Sequence, residues 1–452
     1  MTLADGPQTA WSDKPSATSW NPIVAAHWGA GTQPGSKCVP LSTLLKVARQ
    51  GVFMAGLDSG DSVVEVARIT DVQQIIPGVG ERGLVSLLTM RRHAVEAGDV
   101  LVVRVGRSGR ACCIPSGATP IVPREGLLVA RPKRREWGPA IAAALCTPTM
   151  KRWLSQRPAG RSTATLTKEQ LGMIPVPSPA WCDFGQIAAL VEQATALAHE
   201  GQDLLEHVRG GVGLLLEDAP TTMLLDDHLW LPDADVLQGW CWQDVQRYWL
   251  RDRAQWQVRG LKPLYEVVDI PSHQPKTSVG DWPAFVLETD DMRPDWYLAL
   301  PEPLNSQEVA STPARTASAT QRFFAVDNEC LLIPTVSNIV AAPVVVPEEV
   351  FSRVAEPLMV PMHWLPLAGL RYPRALAVVL DHPFVRLQRQ LGGAFSTVPH
   401  ITREAIASLL IPAVSEEQWD AWEQELRQAH SLCIAAMAKA QQAIAMVEEW
   451  YA

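Results

Sequence analysis

The same order of elements occurs twice along this chain, and this repetition constrains its fold more than any other feature. The first occurrence has a polar loop, a short run, an apolar strand-like segment and a long helical pattern, at residues 160–165, 166–171, 173–177 and 183–215. The second has the same parts at residues 393–397, 401–406, 409–412 and 416–450. A loop, a strand and a long helix that recur in one order predict a duplicated architecture.

Both long helical patterns carry an apolar seam whose positions alternate by three and four residues. The first seam consists of Ile187, Val191, Ala194, Ala198, Gly201, Leu205, Val208, Val212 and Leu215. The second consists of Trp419, Trp422, Leu426, Ala429, Cys433, Ala436, Ala440, Ala443, Val447 and Trp450. Such spacing is typical of coiled coils. Each helix packing on its own local core is the alternative, but the matched length and period favour pairing of the two helices.

Three further blocks recur in the same order. Residues 261–267 align with residues 41–47, residues 325–333 with residues 94–102, and residues 380–383 with residues 145–148. We therefore predict an α+β fold in which two duplicated mixed α/β domains are separated by two long antiparallel coiled-coil helices. A chain of 452 residues is also too long for one ordinary core.

The predicted parts follow from these blocks. They are an N-terminal arm (1–37), a first domain (38–182), a central long helix (183–217), a Trp-rich connector (218–255), a second domain (256–415) and a C-terminal long helix (416–452). Short β-rich runs are expected at residues 62–68, 99–105, 111–115 and 126–130. A helix is expected from residue 137 to residue 154, interrupted at Pro148.

Composition restricts the class of protein. A hydrophobic content of 47% with 19% charged residues is typical of a soluble globular chain. The first residues lack the basic and apolar regions of a signal peptide, and no run approaches 18 apolar residues. The eight cysteines form no C-x-x-C pair. We therefore expect a cytoplasmic protein without a membrane segment, a structural zinc site or a disulfide framework.

The net charge of −9 is unevenly distributed. Residues 1–182 contain 21 Lys and Arg against 12 Asp and Glu, a balance of +9, whereas the rest of the chain contains 18 against 36, a balance of −18. A basic half is suited to a phosphate backbone. If the chain binds nucleic acid, the first half is expected to do so.

The motifs that would indicate an enzyme fail in context. Residues 78–83 match G-x-G-x-x-G but follow Pro77 and lack a helix opening at their end. No H-E-x-x-H occurs, the ten histidines are scattered, and Ser108 is not in a G-x-S-x-G frame. We expect no catalytic residue, no metal and no cofactor in this chain.

Binding chemistry is concentrated around two polar loops of the first half. The candidate DNA-binding residues there are Arg104, Arg107, Ser108 and Arg110 around residues 106–109, and Lys151, Arg152, Arg161, Ser162, Thr163 and Thr165 around residues 160–165. Arginine pairs with phosphates and guanine edges, and hydroxyl groups bind phosphates or bases. A solvated basic surface is the alternative. A third basic cluster lies at residues 133–135.

Residues 98–109, with Gly98-Asp99 before an apolar run and glycines at 106 and 109, resemble a segment of the target-recognition domains in specificity subunits of type I restriction-modification systems. Residues 171–177, followed by Gln186-Ile187 and a long helix, resemble the end of those domains. The second copy matches at residues 410–412 and in Glu417-Gln418 before its helix. The likeness covers residues 38–217 and 256–452.

The resemblance implies two target-recognition domains, each reading one half of a bipartite double-stranded DNA site. Two long helices hold these domains apart and dock DNA adenine methyltransferase subunits, two in number, which carry S-adenosylmethionine. A restriction or other phage-defence subunit is a further implied partner. The specificity subunit itself has no catalytic activity.

The second copy departs from this pattern. It has Asp327-Asn328-Glu329-Cys330 over Gly98-Asp99, and residues 256–411 contain 12 basic against 16 acidic residues, a balance of −4. Its candidate DNA-binding residues are Gln388, Arg389, Ser396, Thr397 and His400. We hypothesise that the first domain dominates DNA affinity. The alternative function is a protein-interaction scaffold of a phage-defence complex, in which one or both domains no longer read DNA.

Overall fold

The computed structural model describes residues 37–53, 62–77, 81–105, 110–118, 120–155, 165–217, 224–225, 229–230, 260–268, 270, 285–286, 323–326, 328–335, 342–351, 358–361, 363–391, 393–394 and 400–451. These residues form a mixture of helices and strands, and the expected mixed α and β content is confirmed. The predicted N-terminal arm before Lys37 and most of the Trp-rich connector lie outside the described residues.

The chain divides into two compact units. Unit 1 consists of Met1–His199 with Ile434–Ala452, and unit 2 consists of Glu200–Cys433. Each long helix therefore contributes one segment to each unit.

The described residues of unit 1 form eleven strands and four short α-helices. The strands are β1 (Cys38–Pro40), β2 (Leu45–Gln50), β3 (Ser62–Ala67), β4 (Val72–Gln74), β5 (Ile76–Pro77), β6 (Glu81–Val85), β7 (Val100–Val103), β8 (Ala111–Cys113), β9 (Ile121–Pro123), β10 (Leu127–Pro132) and β11 (Pro175–Pro177). The helices are α1 (Leu87–His93), α2 (Gly138–Cys146), α3 (Pro148–Ser155) and α4 (Lys168–Met173), followed by the long helix α5 (Phe184–Leu215).

The core of unit 1 is a four-stranded sheet covered by a buried helix. The sheet has the order β2-β10-β7-β8, and all of its strand pairs are antiparallel. Every residue of α2 is buried, which its almost wholly apolar sequence permits. A second sheet has the order β6-β3-β9.

Unit 2 contains the remaining strands and helices. The strands are β12 (Leu224–Leu225), β13 (Leu229–Trp230), β14 (Leu261–Pro263), β15 (Phe285–Val286), β16 (Phe323–Val326), β17 (Cys330–Pro334), β18 (Val344–Val346), β19 (Leu358–Pro361), β20 (Trp364–Ala368), β21 (Gly393–Ala394), β22 (His400–Ile401) and β23 (Leu410–Pro412). The helices are α6 (Glu348–Phe351), α7 (Pro373–Asp381), α8 (Pro383–Leu391), α9 (Arg403–Ala407) and the long helix α10 (Glu416–Glu449). The central sheet has the order β18-β17-β20.

Each unit is closed by an equivalent antiparallel strand pair. In unit 1, β1 pairs with β11, and the Leu41 N–H donates to the Ile174 carbonyl at 2.8 Å. In unit 2, β14 pairs with β23, and the Leu264 N–H donates to the Leu409 carbonyl at 2.8 Å. Leu264 is thus the counterpart of Leu41. The sequence alignment of residues 261–267 with 41–47 is therefore wrong by three residues, because the Pro-Leu step at the strand end sets the register.

A break between two helices also recurs. Helix α2 ends at Cys146 and α3 begins at Pro148, while α7 ends at Asp381 and α8 begins at Pro383. Proline lacks the N–H that would continue the preceding helix but fits the first turn of the next one. The predicted interruption at Pro148 is confirmed.

Within unit 2, the segments of α5 and α10 run antiparallel. Gly201 lies against Ala429 and Cys433, and a Cβ added at Gly201 would lie 3.0 Å from the Ala429 carbonyl oxygen. Gly211 lies against Trp422. The predicted seam residues of α10 are buried except Trp450, which is half-buried. The α5 seam is buried except Ala198, which is half-buried, and Leu215.

The prediction for Leu215 is wrong. This side chain is 51% exposed, and Leu216 is buried in its place. The reason is local: α5 ends at Leu215, and the Leu216 N–H donates to both Val212 and Gly213 carbonyls, which tightens the last turn.

Within unit 1, the start of α5 lies beside the end of α10. The rings of Phe184 and Trp450 stack with centroids 6.3 Å apart. The Glu448 carboxylate accepts hydrogen bonds from the backbone N–H and the hydroxyl of Thr149, in the first turn of α3. A carboxylate is favoured there because the first turn of a helix leaves N–H groups without partners.

Gly98→Ala is expected to destabilise unit 1 by more than the about 1–2 kcal/mol that a left-handed residue ordinarily costs. Gly98 has φ +86°, and a Cβ there would lie 2.7 Å from the Arg135 carbonyl oxygen. Gly117→Ala is the matched control, because Gly117 has φ +81° and nothing within 4 Å of its Cβ position. Urea unfolding of both variants measures the difference, and equal losses would show that the Arg135 contact adds nothing.

Candidate nucleic-acid interface

Four strand ends of unit 1 meet at one edge of the central sheet. Gln50 at the end of β2 lies opposite Leu128, Leu127 lies opposite Val103 at the end of β7, and Val102 lies opposite Ala111. Arg104 and Arg110 are the residues just beyond two of these strand ends. The antiparallel register therefore places both arginines at the same edge.

The second polar loop joins this edge through the backbone of Arg104. The Arg104 N–H donates to the Gly126 carbonyl at 2.9 Å, and its carbonyl accepts from the Leu166 N–H at 2.8 Å. Val105 pairs with Thr165 as an isolated antiparallel bridge. We call the set Arg104, Arg110, Arg124 and Thr165 the Arg104 edge; Arg104, Arg110 and Arg124 are half-buried, and Thr165 is exposed.

The Arg104 edge is also where both predicted loops begin or end. Residues 106–109 follow Val105, and residues 156–164 precede Thr165. Arg107, Ser108, Arg161, Ser162 and Thr163 lie in these loops, outside the described residues.

Sequence reasoning missed Arg124, which is in the turn between β9 and β10. Its side chain is 35% exposed and lies 3.7 Å from the Glu125 carboxylate. No motif marks this turn. Only the pairing of β10 with β7 brings it to the edge.

Lys151 and Arg152 lie on α3. Arg152 donates to the Thr149 hydroxyl at 3.3 Å. It also lies 3.8 Å from the carboxylate of Glu448, near the end of α10. Lys151 is half-buried on the same helix.

Unit 2 has the same backbone arrangement with a different side chain. The Thr335 N–H donates to the His363 carbonyl at 2.8 Å, and the Thr335 carbonyl accepts from the Ile401 N–H at 2.7 Å. These two hydrogen bonds correspond to those of Arg104. His363 directly precedes β20, as Gly126 directly precedes β10. Ile401 directly precedes the helix cap Thr402, as Leu166 directly precedes the helix cap Thr167. Threonine therefore stands in unit 2 where unit 1 has arginine.

The interpretation of Gln388 as a DNA contact is corrected by its surroundings. The side chain is 3% exposed, its amide nitrogen donates to the Leu410 carbonyl at 2.8 Å, and its amide oxygen accepts from the Leu410 N–H at 2.7 Å. Both ends of the amide are thus bound to strand β23. Gln388 stabilises the closing strand and is not available to a base.

Arg389 is corrected in the same way. It is 7% exposed, and burial lowers the pKa of its guanidinium to about 10. His400 lies in β22, paired with Ala394. Ser396 and Thr397 lie outside the described residues.

The helix break identifies Arg386 as the residue that corresponds to Lys151. Both lie three residues after the proline that begins the second helix. Arg386 is held by Asp381, which accepts from its Nε at 2.9 Å. Extending the aligned blocks 145–148 and 380–383 by three residues places Arg386 over Lys151, so the sequence alone was sufficient to find this correspondence.

Gly98-Asp99 has a structural role. Asp99 is 1% exposed and accepts from the Nε and a terminal nitrogen of Arg131, both at 2.8 Å. In unit 2, Glu329 occupies the position before β17 and pairs with Arg374 at 2.7 Å. An acidic residue before the central strand is therefore ion-paired in both units.

Among the described residues, no cluster of His, Cys, Asp and Glu is arranged to hold a metal ion. None of the helices described here is both long and apolar enough to cross a bilayer.

Neither a family model nor a curated protein matches this chain. Solved structures do match over 93% of its length. The S subunit of a type I restriction-modification system from M. genitalium is 10% identical, with a TM-score of 0.31 and 94% of that chain covered. The HsdS subunit from Thermoanaerobacter tengcongensis is 13% identical, with a TM-score of 0.29 and 98% of that chain covered.

A chain from a structure on complex assembly and conformational transition of the type I R-M system is 15% identical, with a TM-score of 0.29 and 98% of that chain covered. The chain is similar to type I restriction-modification S subunits.

Proposed function

We propose that this chain is a non-catalytic DNA-recognition subunit that positions a DNA adenine methyltransferase on a bipartite target. The observation that carries the proposal is the Arg104 edge, which contains three arginines and Thr165. The two polar loops of the basic half of the chain begin or end at this edge. Arginine and hydroxyl groups at one edge suit a DNA duplex. Arginine binds phosphates and guanine edges, and hydroxyl groups bind phosphates or bases.

The two units act as duplicated recognition domains, each placed on one half-site. Support comes from equivalent closing strand pairs, helix breaks and edge hydrogen bonds. The long helices α5 and α10 act as a coiled-coil spacer and dock two methyltransferase subunits, which bind S-adenosylmethionine. A restriction or other defence subunit joins the same assembly.

The units contribute unequally to DNA affinity. Unit 1 has Arg104 where unit 2 has Thr335, and residues 1–182 have a charge balance of +9 whereas residues 256–411 have a balance of −4. These differences also favour the second candidate function, a scaffold in which unit 2 contacts protein rather than DNA.

Exchanging the two edge residues tests the proposal. Arg104→Thr is expected to weaken DNA binding about tenfold and to reduce the slope of log affinity against log salt by about 1, since one phosphate contact is lost. Thr335→Arg is expected to strengthen binding. Arg107→Ala and Arg161→Ala are expected to weaken it without unfolding the protein. Gel shifts of the full chain on genomic fragments across a salt series measure these effects.

Equal affinities of the wild type and Arg104→Thr at every salt concentration would remove this edge from the interface. An unchanged Thr335→Arg variant would favour the scaffold function for unit 2. Methylome sequencing of cells with and without the protein tests the methyltransferase part, because loss of one methylated bipartite sequence is expected without it.

A further inference from the structure

Among the described residues of unit 1, the most exposed large aromatic side chain lies beside the Arg104 edge. Phe53 is 76% exposed. It follows Val52, which pairs with Arg124 and whose N–H donates to the Pro123 carbonyl at 2.8 Å. Phe53 and Arg104 therefore flank the same turn, residues 124–126, because Arg104 is bound to Gly126 on its other side.

The segment before Phe53 is held tightly against this turn. The Gly51 N–H donates to the Leu127 carbonyl at 2.9 Å, and the Gln50 amide donates to the Glu125 carbonyl at 3.2 Å. A Cβ on Gly51 would lie 2.0 Å from the Arg124 carbonyl oxygen, so only glycine permits this approach. The backbone at residue 52 is thus fixed to the turn, and Phe53 directly follows it.

The spacing suits a DNA groove. Strand β10 separates β2 from β7, and neighbouring strands lie about 4.8 Å apart. The ends of β2 and β7, beyond which Phe53 and Arg104 lie, are therefore about 10 Å apart, which corresponds to about three base-pair steps of 3.4 Å. One footprint on a duplex includes both residues.

We propose that Phe53 makes an apolar contact with a base of the DNA target, an inference that rests on the proposed function. The charged phosphate oxygens offer nothing to a benzyl side chain, whereas base faces and the thymine methyl group are apolar. The arginines of the edge supply the charge that brings the duplex to this surface. Phe53 then adds sequence preference to a contact that is otherwise electrostatic.

The test uses the full chain and duplexes that the wild type selects from a random pool. Phe53→Ala is expected to weaken binding to a selected duplex about 10- to 100-fold, the range predicted for exposing one Phe side chain. The salt slope is expected to stay at the wild-type value, since no cation is removed, in contrast to Arg104→Thr. Phe53→Leu is expected to retain part of the affinity.

Val63→Ala is the matched control, because Val63 is 65% exposed on β3 at the opposite end from the turn. It should leave affinity unchanged. Because the Phe53 and Val63 side chains are both exposed, their variants are expected to unfold at the wild-type temperature.

Two further arms identify the base contact. If Phe53 contacts a thymine methyl group, replacing that thymine by uracil weakens the wild type but not Phe53→Ala. If Phe53 enters a base step, the wild type makes a thymine reactive to permanganate and Phe53→Ala does not.

Wild-type affinity and preference in Phe53→Ala would overturn the inference and leave the proposed function standing. A Phe53→Ala chain that binds DNA normally but loses a protein partner would overturn it in favour of a protein contact. Failure of the wild type to select any duplex would overturn the proposed function and the inference together.

Discussion

Replacing Arg374 by leucine is expected to destabilise unit 2 by about 3–5 kcal/mol, the usual effect of leaving one member of a buried ion pair without its partner. The Arg374 side chain is 4% exposed and the Glu423 side chain 6%, and they lie 3.1 Å apart. Arg374 also pairs with Glu329 at 2.7 Å. Its removal leaves the Glu423 carboxylate, which is 6% exposed, and the Glu329 carboxylate, which is 22% exposed, with the exposed Arg427 as the cation near both.

Glu423 has a second role, which makes Glu423→Leu comparably destabilising. Its carboxylate accepts from the backbone N–H groups of Arg374 and Ala375 at 2.9 and 3.0 Å, in the first turn of α7. Without this carboxylate, the two N–H groups lose the acceptor that they have in the wild type, and the positive end of the helix loses its counter-charge.

The double variant Arg374→Leu/Glu423→Leu separates pairing from packing. Two apolar side chains need no desolvation of charge, so the double variant is expected to be more stable than either single variant. Arg371→Leu is the matched control. Arg371 pairs with Glu416 and Asp420 between the same two elements, but all three side chains are exposed, so little change is expected.

Urea unfolding of the full chain, followed by its tryptophan fluorescence, measures these differences. Single variants that lose no more stability than Arg371→Leu would contradict the assignment of a stabilising role to the buried pair.

The long-range pattern of this chain was predictable because it depends on periodicity. Seams of three- and four-residue spacing mark α5 and α10 to within a residue or two of their ends, and proline marks the break before α3. These signals are local in sequence. The error at Leu215 arose where the helix ends, since the 3.5-residue repeat no longer governs burial once the chain turns.

The roles of polar side chains were less predictable. The sequence does not distinguish a polar residue that faces solvent from one that forms hydrogen bonds with buried backbone groups. Gln388 and Arg389 lie beside a polar loop in sequence but are buried in unit 2. The Arg104 edge depends on pairing between strands that are distant in sequence, so Arg124 required the structure. Extending the aligned blocks 325–333 and 94–102 by two residues already places Thr335 over Arg104.

Unit 2 is expected to lose stability as the pH falls below 6.5, through His430. His430 is 5% exposed, and burial lowers its pKa from 6.5 to about 4. The charged groups that act on it are Arg374, Glu349, Glu329 and Arg427. Between pH 6.5 and about 4 the unfolded chain binds a proton that the folded chain does not. Stability is therefore fully present above pH 6.5 and is lost as the pH falls, by about 2 kcal/mol at pH 5.

The measurement must isolate His430 from Glu423, whose pKa burial raises and whose titration therefore acts in the opposite direction. His430→Gln removes only the histidine contribution. The free energy of unfolding of the wild type is expected to fall by about 2 kcal/mol more than that of His430→Gln between pH 7.5 and pH 5. His207→Gln is the control, because His207 is 73% exposed on α5. It should reproduce the wild-type slope, and a His430→Gln slope equal to both would show that this imidazole ionises freely in the folded protein.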